Sequence, residues 1–332
     1  MDLFNKNELN ILIKSLLRLT IIFVLFLSML FFWMQSPTKV STQMIVFDEN
    51  PWEVETLLAI HAPRKEVQKG FELVMQTAKI IGPHSKTPVT GNRLSCTHCH
   101  RKGGTQNGAA SWLGITKRYP KFSARDGRTA DLADRINGCL ERSMNGTTLS
   151  KKDDIMKAIL AYMKWLDQNY ISLTEHQKGF PPIQIPNRAA NLITGKVIYH
   201  KECVECHGTD GKGTSNAYPP LWGNDSYNQG AGMHRVLTAA AFIKANMPYE
   251  QSRWDQPKLS DEEAFDVAAY INSKSRPTFK GLTNDFPDKK LKPMSTPYGP
   301  WQDTFTAKQH KFGPFPPIKA YYKKKYGLDK KK

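Results

Sequence analysis

The sequence predicts an all-α fold: one apolar helix at the N-terminus, then two helical domains in tandem, then a basic extension. Three observations carry this prediction. Residues 19–34, LTIIFVLFLSMLFFWM, are apolar except for Thr20 and Ser28. The pentapeptides CTHCH at 96–100 and CVECH at 203–207 repeat a single pattern. Each pentapeptide is bracketed by segments whose apolar residues recur at helical spacing.

The N-terminal run, extended to Pro37, approaches the hydrocarbon thickness of a bilayer as a helix. Lys6, Lys14 and Arg18 precede it and the next basic residue is Lys39. That asymmetry keeps the N-terminus in the cytoplasm and exports the remainder. Bulky Phe31, Phe32, Trp33 and Met34 stand where a cleavage site would need small residues. Residues 1–37 are therefore expected to be an uncleaved anchor, with a removed signal peptide as the alternative. The expected location is the periplasm, tethered to the inner membrane by residues 19–34.

The formal charge of +17 is unevenly spread. Residues 306–332 hold nine lysines against one aspartate, and such a tail reads as a solvated, frayed terminus. It could also face anionic headgroups or an acidic partner. No nucleic-acid-binding motif accompanies the charge, so nucleic acid is excluded as a partner.

The C-x-x-C-H spacing attaches a c-type haem: two thiols add to the vinyl groups and the adjacent imidazole ligates the iron. Cys96, Cys99, Cys203 and Cys206 are thus the attachment thiols, and His100 and His207 the proximal ligands, of two covalent haem c groups. A zinc site would leave the histidine after each pair unexplained. A disulfide-exchange protein would need strands alternating with helices, and none are indicated.

The chain reads as an internal duplication of small cytochrome c domains. Helices are expected over 66–80 and 195–207 ahead of the motifs, and from Leu149 and Leu259 after them, the latter two opened by Ser150 and Ser260 as caps. Residues 50–177 form the first domain, the proline-rich stretch 178–188 the linker and 189–275 the second domain. Residues 276–332 form the extension.

A low-spin haem needs a sixth ligand. In the second half Met247 lies forty residues after His207; in the first half Cys139 lies thirty-nine after His100. The odd cysteine thus occupies the position that methionine fills in the other domain, with Met144 and Met156 as poorer substitutes. As a thiolate, Cys139 would be stabilised by ferric iron and would lower that haem's potential. Around it, from Arg93 to Arg142, ten Lys or Arg residues face four acids. Arg125, Arg128, Arg135 and Arg142 are the candidates for gripping an oxyanion with a guanidinium fork.

The stretches LSCTHCH, FSARDGR, RINGCLERSMNG, CVECHGTDGKG, PPLWGNDSYNQGAGM and FIKANMP, with PYGP and HKFGPFPPI in the extension, resemble the dihaem thiosulfate dehydrogenase family over roughly residues 55–320. The resemblance implies that His100 and Cys139 ligate a catalytic haem. It places Arg125, Arg135, Ser143 and Gln106 in a pocket that couples two thiosulfates into tetrathionate. The second haem, on His207, passes electrons outward to a periplasmic cytochrome or a quinone-linked partner. Some members carry a lysine before the distal methionine and exchange the two ligands; Asn246 stands there instead, so fixed His207/Met247 ligation is expected, with Lys244 two residues earlier as the competitor. Two other functions remain open: a non-enzymatic dihaem carrier, and a sulfur-oxidation cytochrome that conjugates thiosulfate to a carrier protein.

Overall fold

The computed structural model describes residues 6–35, 58–59, 64–169, 179–214 and 217–331. The chain divides into two compact units, residues 1–44 and 45–332. In the first, α1 (Lys6–Gln35) is one unbroken helix. Among the described residues no helix is long and apolar enough to cross a membrane. The side chains at 12 and 30–35, and with them part of the 19–34 run, lie outside those residues, as do the expected boundaries at residues 37, 50 and 177.

The second unit holds two helical cores. In one, α2 (Lys65–Met75) crosses α4 (Asp154–Asn169), and α3 (Leu132–Arg142) lies between them in sequence. Its centre is Leu73, Val74, Met156, Ile159, Tyr162 and Leu166. In the other, α5 (Leu192–Glu202) crosses α7 (Asp261–Ser273), and α6 (Val236–Asn246) packs on α7. Its centre is Tyr199, Val236, Leu237, Phe265 and Val267.

The two crossings share one device that the sequence reading missed. A Cβ on Gly70 would lie 2.0 Å from the Ala158 carbonyl oxygen, and one on Gly195 would lie 2.1 Å from that of Asp266. Each glycine lets two backbones touch, which repays its poor helix propensity. A glycine inside an amphipathic helix was the available signal. Gly195→Ala should therefore force α5 and α7 apart and cost about 1–3 kcal/mol; urea unfolding that matches the native protein would show that the crossing can yield.

Local chemistry sets the helix ends. Ser260 caps α7 in a reciprocal box with Glu263, as expected. Ser150 does not cap α4. Asp153 does, accepting from the Ile155 amide at 2.8 Å, because the chain first makes a turn at Ser150–Asp153. The expected helix 66–80 is broken at Gln76, resuming as Thr77–Ile80. The helix expected over 195–207 starts earlier, at Leu192, where Asn191 caps it, and breaks at Cys203 before Val204–His207. Among the described residues one short antiparallel ribbon lies outside the helices, β1 (Lys121–Ser123) with β2 (Arg128–Ala130).

The extension corrects the frayed-tail reading. It carries α8 (Ala307–Phe312) and α9 (Pro316–Tyr326), and Phe315, Ile318 and Tyr322 enter the second core. Lys330 is buried, its ammonium 3.4 Å from the centre of the Tyr322 ring and bonded to the Lys290 carbonyl at 2.7 Å. The aromatic residues among the lysines supply this packing; charge counting alone hid it.

Candidate active site at the first CTHCH motif

A cavity of about 320 Å³ opens beside the first pentapeptide. Cys96, Cys99 and His100 line one side and Cys139, Ser143 and Met144 line another. The walls between are largely apolar, including Leu94, Trp112, Ile136, Ile159 and Met163.

The donors fit a haem. His100 Nδ1 donates to the Ala110 carbonyl at 2.9 Å, which fixes the tautomer and leaves Nε2 as a ligand. Cys139 lies within reach of that imidazole. Burial pushes the thiols of Cys96, Cys99 and Cys203 up to about 11, 12 and 12. At Cys139 burial acts the same way, but the Arg135 charge and the hydrogen bond with His100 overcome it and bring the thiol down to about 6. Arg135 Nη1 donates to the sulfur at 2.8 Å. One turn of α3 separates these two residues, and the ion pair in turn raises the Arg135 guanidinium. Met156 is consumed in the hydrophobic core, whereas Met144 does line the cavity.

The expected arginines separate into two groups. Arg128 is exposed and pairs with Asp134 at 3.1 Å. Arg142 is buried in a fork-to-fork bond with Asp285, at 2.7 and 2.9 Å. Both are spent on structure. Arg125 is not on the cavity wall; its Nη1 donates to the Gly230 carbonyl at 3.2 Å. Burial depresses its guanidinium, and the charges of Arg142 and Arg135 add to that effect. The Phe286 amide donates to the Arg125 carbonyl at 2.7 Å, so the extension braces this loop too. Arg118 and Lys121 line the cavity with Arg135, and Lys121 sits 4.8 Å from the Tyr119 ring centre.

Ser143 lies on the wall at the C-cap of α3, its amide donating to the Cys139 carbonyl at 2.9 Å. Gln106 is elsewhere. Its amide nitrogen donates to Asn246 Oδ1 at 3.0 Å and its oxygen accepts from Arg101 Nε at 3.3 Å. It joins the domains rather than lining the cavity.

Arg235 was not anticipated, because it sits 96 residues from Cys139 in the chain and in the other half. It occupies the N-cap position of α6 without a side-chain capping bond, and its Nε donates to the Gly232 carbonyl at 3.4 Å. Burial first, and then the charges of Arg125 and Arg135, bring its guanidinium down to about 10. Three arginines therefore share one field; Asp285, the acid that acts on Arg125, is engaged by Arg142 and Tyr298, and Asp126, the acid that acts on Arg135, accepts from the Ser123 hydroxyl.

The seam between the halves is hydrogen-bonded. Asn92 Nδ2 donates to the carbonyls of Ser143 and Ser226 at 2.9 and 3.1 Å. Asn228 donates to the Glu141 carbonyl at 2.8 Å, and its amide to that of Arg142 at 3.0 Å. Leu94, Tyr227 and Ala231 pack with Met233 in the same seam. Burial, then the charges of Arg101 and His207, depress the His98 imidazole to about 4, which places the two pentapeptides in electrostatic contact.

At the second motif, His207 Nδ1 donates to the Pro219 carbonyl at 2.9 Å, the same orientation as His100. Met247 ends α6 and packs against the second core. Lys244 is held by Asp261 at 2.8 Å. Asn246 is buried and donates to the carbonyls of Gly108 and Phe242, both at 3.0 Å. His234 faces Arg276 and Lys311, and burial, then Arg276, drive it to about 3.

Residues 86–169 match the SoxA/TsdA cytochrome c domain and residues 192–275 match cytochrome c. The chain is 42% identical to a thiosulfate dehydrogenase of Allochromatium vinosum over 61% of its length and 77% of the relative. It is 37% identical to one of Psychrobacter arcticus over 67% of each chain. Among solved structures it resembles the as-isolated thiosulfate dehydrogenase TsdBA of Marichromatium purpuratum, with 32% identity and a TM-score of 0.59. That match covers 72% of this chain and about half, 49%, of the other. The two cytochrome c domains, each with its attachment pentapeptide, give the chain two covalent haem c groups. With a 42% identical relative covered over most of its length, the chain belongs to the thiosulfate dehydrogenase family of c-type cytochromes.

Proposed function

We propose that this chain interconverts thiosulfate and tetrathionate at the first haem, with residues 50–177 as the catalytic domain, 178–188 as the linker, 189–275 as the relay domain and 276–332 as a brace. The observation that carries this reading is geometric: Cys139, its sulfur accepting from Arg135 Nη1 at 2.8 Å, shares one cavity with His100 and Ser143. His100 and Cys139 would ligate the catalytic iron, and His207 and Met247 the second. With Lys244 in an ion pair and Asn246 buried, Met247 has no competitor on its own loop.

Two thiosulfate dianions lose one electron each and join through a new sulfur–sulfur bond, giving the tetrathionate dianion with no proton exchanged. Two haems, held by Cys96, Cys99 and His100 and by Cys203, Cys206 and His207, would supply the acceptors for the two electrons. The protein must first bring two dianions together. At about 5 Å and an effective dielectric of about 20 their repulsion is roughly 13 kcal/mol. Arg135, Arg125 and Arg235 offset a sum of that size by fixed charge already in place. Ser143 Oγ is positioned to donate to a sulfonate oxygen.

The same export signals support a periplasmic location with residues 19–34 held in the inner membrane, and an electron partner that is a periplasmic cytochrome or a quinone-linked complex. Recovery of the full-length protein in the soluble periplasmic fraction, with its N-terminus intact, would contradict the tether.

The test is turnover by the haem-loaded protein with an artificial one-electron acceptor. The expected result is two electrons per tetrathionate, and a kcat/KM about 10- to 100-fold lower in Arg135→Gln, the value of a charge-assisted hydrogen bond. Two intact haems with no turnover in either direction would favour an electron carrier. Thiosulfate transferred to a protein cysteine would favour a conjugating cytochrome.

A further inference from the structure

Arg276 lies three residues beyond the end of α7 and is buried, 8% exposed. Its Nη2 donates to the Ile271 carbonyl at 3.1 Å, and its guanidinium carbon lies 4.3 Å from the centre of the Tyr227 ring. Nε and Nη1 are buried with no hydrogen-bond partner among the described residues. No carboxylate among those residues is in ion-pair contact with it. Tyr227, its phenol raised by burial and its hydroxyl donating to Asn272 Oδ1 at 2.9 Å, stays neutral and brings Arg276 no negative charge. The remaining charged or titratable neighbours are His234 and Lys311, both of the wrong sign.

A guanidinium in such a place is expensive unless an anion meets it, because two desolvated N–H donors and a full charge go unanswered. The anion must come from outside the polypeptide. It must be planar enough to take a fork of N–H groups and must reach the side of the second core that faces the seam, where Arg276, Tyr227, His234 and Asn272 meet. Two of these residues flank helices of the second core: His234 precedes α6, which ends at Met247, and Arg276 follows α7.

We propose that Arg276 clamps a propionate carboxylate of the second haem and thereby sets that haem's potential. This rests on the presence of the second haem and not on the thiosulfate reaction. Arg276 is a positioning residue: it touches the cofactor's edge and leaves the sulfur chemistry to the other domain. The ferric form of a haem carries one more positive charge than the ferrous form. A cation at the edge that neutralises a propionate therefore disfavours oxidation, and its loss leaves an uncompensated carboxylate that favours the ferric form.

The experiment is a spectroelectrochemical titration of the haem-loaded protein and of Arg276→Met and Arg276→Lys. Arg276→Met should retain two haems, lower the midpoint potential of the second and leave the first haem and the thiosulfate KM unmoved. Arg276→Lys should keep the potential close to that of the native protein. Unchanged potentials in a two-haem Arg276→Met protein would overturn the proposal, and so would a shift confined to the first haem. A raised thiosulfate KM at unchanged potentials would assign the clamp to a substrate oxyanion instead. If Arg276→Met does not load haem, a structure of the native haem-loaded protein decides. A propionate on Nε and Nη1 supports the clamp, and water or a free anion there overturns it.

Discussion

Cys139→Gly should abolish tetrathionate formation, by about a thousandfold or more, while the protein still carries two haems. The size follows from what the side chain does. It is the one cysteine outside the attachment pentapeptides, it faces His100, and Arg135 holds it as thiolate. Removing it deletes a proximal charge and a soft donor that act in the transition state, and such losses appear in kcat. The second haem's spectrum should not change, because Met247 packs against the other core and His207 belongs to the other pentapeptide. Product analysis by ion chromatography, alongside haem staining, checks both halves. Cys139→Met is the sharper comparison. It keeps a sulfur ligand but loses the charge, so full activity in that variant would show that neither the thiolate nor any direct role of this sulfur in holding substrate is needed.

The largest stability effect is expected at Asp285, which lies in the extension yet anchors the end of the Cys139 helix. Its side chain is 4% exposed and takes two bonds from Arg142 and one, at 2.5 Å, from the Tyr298 hydroxyl. Arg142 also stacks on Phe279, 4.3 Å from the ring centre. Asp285→Ala leaves a buried guanidinium unpaired, which costs about 3–5 kcal/mol. Chemical denaturation should register that loss. The double variant Asp285→Ala/Arg142→Met should recover a large part of it, because the stranded charge is gone. A double variant as unstable as the single would mean that Tyr298 and the loop, not the charge pair, carry the cost.

The first of these effects was legible in the sequence and the second was not. Cys139 stood out through arithmetic: five cysteines, two pentapeptides, and matching distances of 39 and 40 residues to the sixth-ligand position. Local chemistry likewise announced the Ser260 cap. The Arg142–Asp285 pair joins residues 143 apart, so no local pattern could separate Arg142 from Arg125 and Arg135 as candidates for the substrate. The same distance hid Arg235, and it hid the partner of Gln106, which looked like a pocket residue and instead binds Asn246. The tail misled for another reason. Nine lysines suggested solvent, but Phe315, Ile318 and Tyr322 sit at core spacing among them, and burial of those three decides the fold.

These contacts give the extension a role. Phe286 is bonded to Arg125, Asp285 to Arg142, and α9 to the second core, so one segment holds both the arginine loop and the relay domain. The Asn228 and Asn92 bridges add a second set of links between the end of α3 and the loop before α6. A site built this way places fixed positive charge without relying on flexible surface side chains.

The ligation of the first haem is the claim on which the rest depends. Low-temperature electron paramagnetic resonance with near-infrared magnetic circular dichroism on the oxidised protein tests it directly. The expected result is one haem with a histidine–thiolate signature, lost in Cys139→Gly, and a second with a histidine–methionine signature unaffected by that change. Two histidine–methionine haems, or a thiolate signature that survives removal of Cys139, would contradict it.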